Sequence, residues 1–138
     1  MIGSSYVNGG TGPIVVIINK FNEASDIKIS QLSRIYKGQM ETWDDGQRVV
    51  AIDYPFGSQI KNDFYKIVLG EEPTKKFFKP GSPVPFKPML AQSNQSAARF
   101  VASIPNAITY VYSSEVTDSV KVLKIDGQSP QDPNYPLR

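Results

Sequence analysis

Two places in the 138-residue sequence set hydrogen-bonding side chains where a helix would begin directly after a strand. Gly57-Ser58-Gln59 follows the apolar run Val49-Val50-Ala51-Ile52. Free first-turn N–H groups, the helix dipole and the Ser58 hydroxyl would all favour an anion there. Ser93-Asn94-Gln95-Ser96 opens a second amphipathic segment with a cluster of uncharged donors and acceptors. Such groups hold a small oxyanion or polar solute without a charged partner. Gly57, Ser58, Gln59, Asn94, Gln95 and Ser96 are therefore the candidate ligand-binding residues. Ser58 and Asn94 also fit plain helix N-caps, the commonest use of such residues at that position.

The composition narrows the chemistry around them. The chain has no histidine and no cysteine. The usual general base near neutral pH is missing, along with thiolate nucleophiles and the ligands of Cys/His zinc sites. A Ser-His-Asp triad is excluded. The expectation is a protein that is not an enzyme and holds no cofactor or metal.

Other chemistry-bearing stretches have simpler readings. Gly9-Gly10-Thr11-Gly12 lacks the Lys-Ser/Thr of a phosphate loop and follows no strand, so it reads as part of an arm. Glu41, Asp44 and Asp45 form an acidic group, but the pair precedes Gly46 and fits a turn. Trp43 reads as an anchor for that loop rather than a sugar platform. Lys75, Lys76, Lys79 and Lys87 are interleaved with Phe77, Phe78 and Phe86. With a net charge of only +2 and no nucleic-acid motif, this reads as a solvated face, and no nucleic-acid partner is expected. No window approaches the roughly 18 consecutive apolar residues of a membrane span.

The elements that must position the two junctions follow from periodicity. Residues 14–18 form a β-branched run of the kind buried on both faces of a sheet. Residues 49–52, 107–112 and 120–125 read as further strands. Ser30 can cap a helix carrying Leu32, Ile35 and Tyr36 and stopped by Gly38. A second helix runs from Ser58 to Gly70 with Ile60, Phe64, Ile67 and Val68 on one face. Residues 73–78 suggest a short third helix, and Pro80, Pro83, Pro85 and Pro88 make the following stretch an extended loop. A fourth helix, capped by Ser93 or Asn94, carries Ala97, Phe100, Val101 and Ile104. The order is that of an α/β fold with a mixed sheet flanked by helices. The expected organisation is a flexible N-terminal arm over 1–12, one α/β domain over 13–127, and a loose Pro-rich tail over 128–138.

The order of several motifs resembles the phosphate-binding proteins of ABC transporters. Ile29-Ser30-Gln31-Leu32-Ser33-Arg34-Ile35-Tyr36-Lys37-Gly38 is followed by Thr42-Trp43-Asp44-Asp45-Gly46. Val49-Val50-Ala51-Ile52, Gly57-Ser58 and Phe64 come next, then Ser96-Ala97-Ala98-Arg99-Phe100-Val101 through Pro105-Asn106-Ala107-Ile108-Thr109-Tyr110-Val111. The resemblance implies one lobe of a type 2 periplasmic binding protein. It further implies a non-enzymatic solute-binding role in bacterial transport, with phosphate as the first candidate ligand and a periplasmic or otherwise exported location. No leader pattern is visible at Met1-Ile2-Gly3-Ser4-Ser5. The sequence departs from the family where the family carries an Arg before a Gly-Ser-Gly-Thr loop. Here Asp53, Tyr54, Pro55 and Phe56 precede Gly57-Ser58, and Gln59 and Ile60 replace the second Gly and the Thr. A bidentate Arg is the strongest phosphate contact such a loop offers, and Asp53 would repel an anion if it faced the site. The alternative expectation is therefore an interaction module that has kept the lobe and lost the ligand, meeting another protein or a second copy of itself.

Overall fold

A computed structural model describes residues 11–138. The expected continuous apolar run becomes β1 (Ile14–Asn19), whose six residues are all buried. It lies inside a five-stranded sheet of order β4-β3-β5-β1-β6, comprising β3 (Val50–Asp53), β4 (Met89–Leu90), β5 (Ala107–Tyr112) and β6 (Val120–Val122). β1 pairs antiparallel with β5, Val16 opposite Tyr110, and with β6. β3 pairs parallel with both β5 and β4, so the sheet is mixed. A separate parallel pair joins β2 (Asp26–Ile27) to β7 (Lys124–Ile125). The α/β expectation holds.

Among the described residues three α-helices pack against the sheet: α1 (Ile29–Tyr36), α2 (Gln59–Phe64) and α3 (Asn94–Ser103). α2 widens directly into a π-helical turn over Tyr65–Leu69, closed by Gly70 in the left-handed region. The crossovers from β3 to β4 and from β4 to β5 run in opposite directions along the sheet. Right-handed parallel crossovers therefore put α2 and α3 on opposite faces. On the α2 face Phe64 stacks on Tyr110 with centroids 3.7 Å apart, and Tyr36 of α1 meets both rings edge-on.

Several local expectations are corrected. α1 starts at Ile29, and Ser30 is not its cap. The Ile29 amide donates to the Asp126 carboxylate at 3.0 Å, a partner 97 residues away that no local reading supplies. The strand expected over 120–125 splits between two sheets, with Leu123 donating to Val16 between the halves. Residues 73–78 are not helical. Phe86 donates its amide to Phe77, and Phe78 bridges Pro85, so the segment folds back as an irregular ribbon. The tail is not loose: Tyr135 and Leu137 are buried, and the Tyr135 hydroxyl donates to the Ile14 carbonyl at 2.8 Å. Of the arm expected over 1–12, residues 1–10 lie outside the described residues.

Candidate functional site

Because β3, β4 and β5 are parallel, the loops leaving their C-terminal ends share one edge of the sheet. In open α/β sheets that edge is where ligands bind. Two of those loops are the β3–α2 and β4–α3 junctions, so all six sequence-predicted residues lie along this edge.

The β4–α3 junction is a complete cap. Ser93 is extended, and its hydroxyl accepts the Ser96 amide at 3.1 Å. The Ser96 hydroxyl accepts the Ser93 amide at 3.1 Å and donates to the Ser93 carbonyl at 3.0 Å. This reciprocal pattern satisfies two backbone donors at the helix start. Asn94 is buried, and its side-chain oxygen accepts the Tyr112 amide at 2.8 Å, tying the helix start to the end of β5. Gln95 is exposed and borders a shallow cleft with Arg99 and Glu115. The Ser96 hydroxyl and the Asn94 carbonyl oxygen are thus engaged in the fold. What this junction offers a ligand is the Asn94 and Gln95 backbone amides, which donate to no described residue.

The β3–α2 junction is built differently. Gly57 has φ of +92° with open space where a side chain would stand, so it is required by conformation and not by close packing. Ser58 occupies the N-cap position, yet its hydroxyl accepts no helix amide. It donates to the Pro55 carbonyl at 3.1 Å. Gln59 is exposed and its side-chain amide reaches Asp63 at 2.8 Å. The first-turn amides of Gln59 and Ile60 donate to no described residue. The cap reading therefore applies to Ser93 and not to Ser58.

Among the positions preceding Gly57, where the family resemblance places an Arg, Asp53 enters a buried ion pair with Lys61 of α2. Asp53 is fully buried. Its carboxylate accepts the Tyr54 amide at 2.8 Å, the Tyr65 hydroxyl at 2.7 Å and the Tyr110 hydroxyl. The Lys61 ammonium stands 3.6 Å away, donates to the Tyr54 carbonyl at 2.9 Å and lies over the rings of Phe56 and Tyr65. An unpaired buried carboxylate would cost several kcal/mol; three donors and a cation offset that cost. Burial, reinforced by the Asp53 charge, pushes the Tyr65 and Tyr110 hydroxyls well above the usual tyrosine range. Asp53 therefore holds the junction's foundation together and does not face an incoming anion. Sequence reading missed Lys61 and Tyr65 as its partners. The signal was present: an acid ending an apolar strand, with Lys61 and Tyr65 at i, i+4 spacing on the next helix.

The remaining candidates resolve into structure. Asp45 accepts the Gln47 amide at 2.9 Å within the predicted turn, and Glu41 pairs with Lys79 at 3.3 Å. The Trp43 indole donates to the Asn106 carbonyl at 3.0 Å, anchoring that loop. Gly9-Gly10 falls outside the described residues. Lys75, Lys76 and Lys87 are exposed as expected, but with Phe77 and Phe86 they line a cleft of ≈ 730 Å³.

No protein-family model and no curated protein matches the chain. Solved structures do. A protein from Clostridium perfringens, assigned as a phosphate ABC transporter substrate-binding protein and solved with bound phosphate, superposes with a TM-score of 0.72 at 24% identity. The match covers 90% of this chain and 49% of that one. An ABC-type phosphate transport receptor from Vibrio cholerae gives a TM-score of 0.77 at 20% identity, covering 99% and 60%. PstS from Borrelia burgdorferi gives 0.73 at 15%, covering 91% and 53%. The family resemblance read from motif order is thus met by the same fold, and the chain spans about half the length of these proteins.

Proposed function

We propose that this chain is a non-enzymatic solute-binding module that takes a small oxyanion, phosphate first, at the edge formed by Gly57, Ser58 and Gln59 with Asn94, Gln95 and Ser96. One observation carries the reading. Two helix starts with open first-turn amides emerge from neighbouring parallel strands at one sheet edge, in a fold shared with proteins described as phosphate receptors. Backbone amides and the positive ends of two helices suit a multiply charged oxyanion. Gln59, Gln95 and the Ser58 hydroxyl border those amides, whereas Ser96 and Asn94 hold the second helix start in place. The same kinship supports a periplasmic or otherwise exported location and a place in solute transport. Among the described residues no helix is long and apolar enough to cross a membrane.

The missing Arg contact lowers the affinity expected of this edge. One lobe supplies half the contacts of a clamp, so binding by this chain alone should be weak. The departure at the Arg position also favours a second reading, a module centred on residues 13–127 that works against another protein or a second copy of itself.

Thermal unfolding in rising phosphate, with sulfate as the control anion, separates the two. A ligand that binds only the folded chain stabilises it by about 2.7 kcal/mol at a hundredfold excess over its Kd. The expected result is a midpoint that climbs with phosphate and lags with sulfate. A midpoint unmoved by phosphate, together with a dimer or larger species in sedimentation, would replace the receptor reading with the interaction reading.

A further inference from the structure

A second recognition surface stands beside the oxyanion edge. The ≈ 730 Å³ cleft lies within the roughly 300–1,000 Å³ range of small-molecule sites. A bare tetrahedral ion would leave most of it empty. Its floor includes Lys61 of α2 and Tyr65 of the π-helical turn, both held by Asp53. Its walls include Phe56, Phe77 and Phe86, and its rim carries Lys75, Lys76 and Lys87. No acidic residue among the described ones lines it.

The cations around it are not equivalent. Lys61 is buried against Asp53, and Lys75 is paired with Glu71 at 3.1 Å. Lys76 and Lys87 make no ion pair among the described residues. Among the described residues the cleft therefore presents two unpaired ammonium groups, Lys76 and Lys87, next to the partly exposed rings of Phe77 and Phe86.

Those walls are preformed. A Cβ on Gly38, where α1 ends, would come within 2.6 Å of the Phe86 ring, so that ring is seated directly on the glycine. Lys37 lies over the Phe77 ring at 5.7 Å, and the Phe86 amide donates to the Phe77 carbonyl at 2.7 Å. A ligand entering here would not have to order the aromatic ribbon, which lowers the entropy cost of binding.

We propose that this cleft binds an aromatic anion, with its ring against Phe77 and Phe86 and its charged group on Lys76 and Lys87. Rings stack or meet edge-on with phenylalanine, and ammonium groups take a phosphate or carboxylate as point charges. The residues differ from those of the proposed oxyanion edge, so either site can fail without the other.

The test is an amide chemical-shift titration of the chain with 2-naphthyl phosphate, using inorganic phosphate and 2-naphthol as the two half-ligands. The expected result is saturable shifts at Phe77, Phe86 and Lys87, with an apparent Kd at least about tenfold below that of either half-ligand at the same amides. The exposed double variant Lys76→Ala/Lys87→Ala should raise that Kd by about tenfold, the loss of one to two charge-assisted contacts. Equal response to 2-naphthol, an unchanged Kd in the double variant, or no saturation at these amides would overturn the cleft. Shifts confined to Gly57, Ser58 and Asn94 would overturn it too, while leaving the oxyanion edge standing.

Discussion

The junctions from β4 into α3 and from β3 into α2 both place a serine in extended backbone one residue before a helix. At the first, Ser93 and Ser96 cap each other's amides and Asn94 clamps the helix start to β5. At the second, Ser58 turns back to Pro55, and the stabilising contacts lie deeper, in the Asp53–Lys61 pair and its tyrosines. One junction is held by its own side chains at the surface. The other is held from beneath, and its surface hydroxyl and first-turn amides remain at the edge. A serine before a helix therefore does not report its own role; the partner of its hydroxyl does.

The largest effect expected from this contrast is at Asp53. Asp53→Ala leaves the Lys61 ammonium buried without its counter-charge, and stability in urea unfolding should fall by about 3–5 kcal/mol. Adding Lys61→Met to that variant should recover part of the loss, since an apolar residue does not need the carboxylate. A loss of no more than about 0.5 kcal/mol, typical of a surface change, would break the claim that this junction is held from beneath.

The tyrosines around Asp53 give the next effect. Burial, then the Asp53 charge, raises Tyr110 well above the ordinary value of 10.0. Below that value folded and unfolded chains both keep the phenolic proton, so stability does not change with pH on this account. Above it the unfolded chain ionises while the buried hydroxyl does not, and stability falls by roughly 1.4 kcal/mol per pH unit for each tyrosine so held. Tyr110→Phe should therefore flatten the alkaline slope of stability by about that amount. An unaltered slope would mean that Tyr110 ionises in the folded chain as it does in water.

The surface serines give the smallest expected effects. Ser93→Ala removes a working cap and should cost about 1 kcal/mol. Ser58→Ala removes a hydroxyl that caps nothing and should cost within about 0.5 kcal/mol. Equal losses at the two would show that the junctions are alike after all.

Much of the scaffold was legible in the sequence because the signals were long. The five apolar residues 14–18 and the alternating Ile108, Tyr110 and Tyr112 can be little else but strands, and Ala97 with Val101 marks the buried face of α3. β2, β4 and β7 are two residues each and carry no periodicity to read. The ribbon over 73–88 misled because Thr74, Lys75 and Lys76 beside Phe77 imitate a helix face, while the real determinant is Phe86 seated on Gly38 from another part of the chain. At the candidate site the two junctions were found, since strand ends and serines are local features. The burial of Asp53 was not: Lys61 and Tyr65 at i, i+4 on the next helix were a local signal left unread, while Tyr110, 57 positions away, meets it only in the folded sheet.

The two helix starts are proposed to act together as one oxyanion edge. The most direct test follows backbone amide shifts through a phosphate titration, with sulfate alongside. Saturable shifts at Gly57, Ser58 and Gln59 on one junction and at Asn94 and Gln95 on the other, stronger with phosphate, are the predicted result. Amides at both junctions that stay unmoved at millimolar phosphate would contradict it, and the edge would then be a framework for contacts with other proteins.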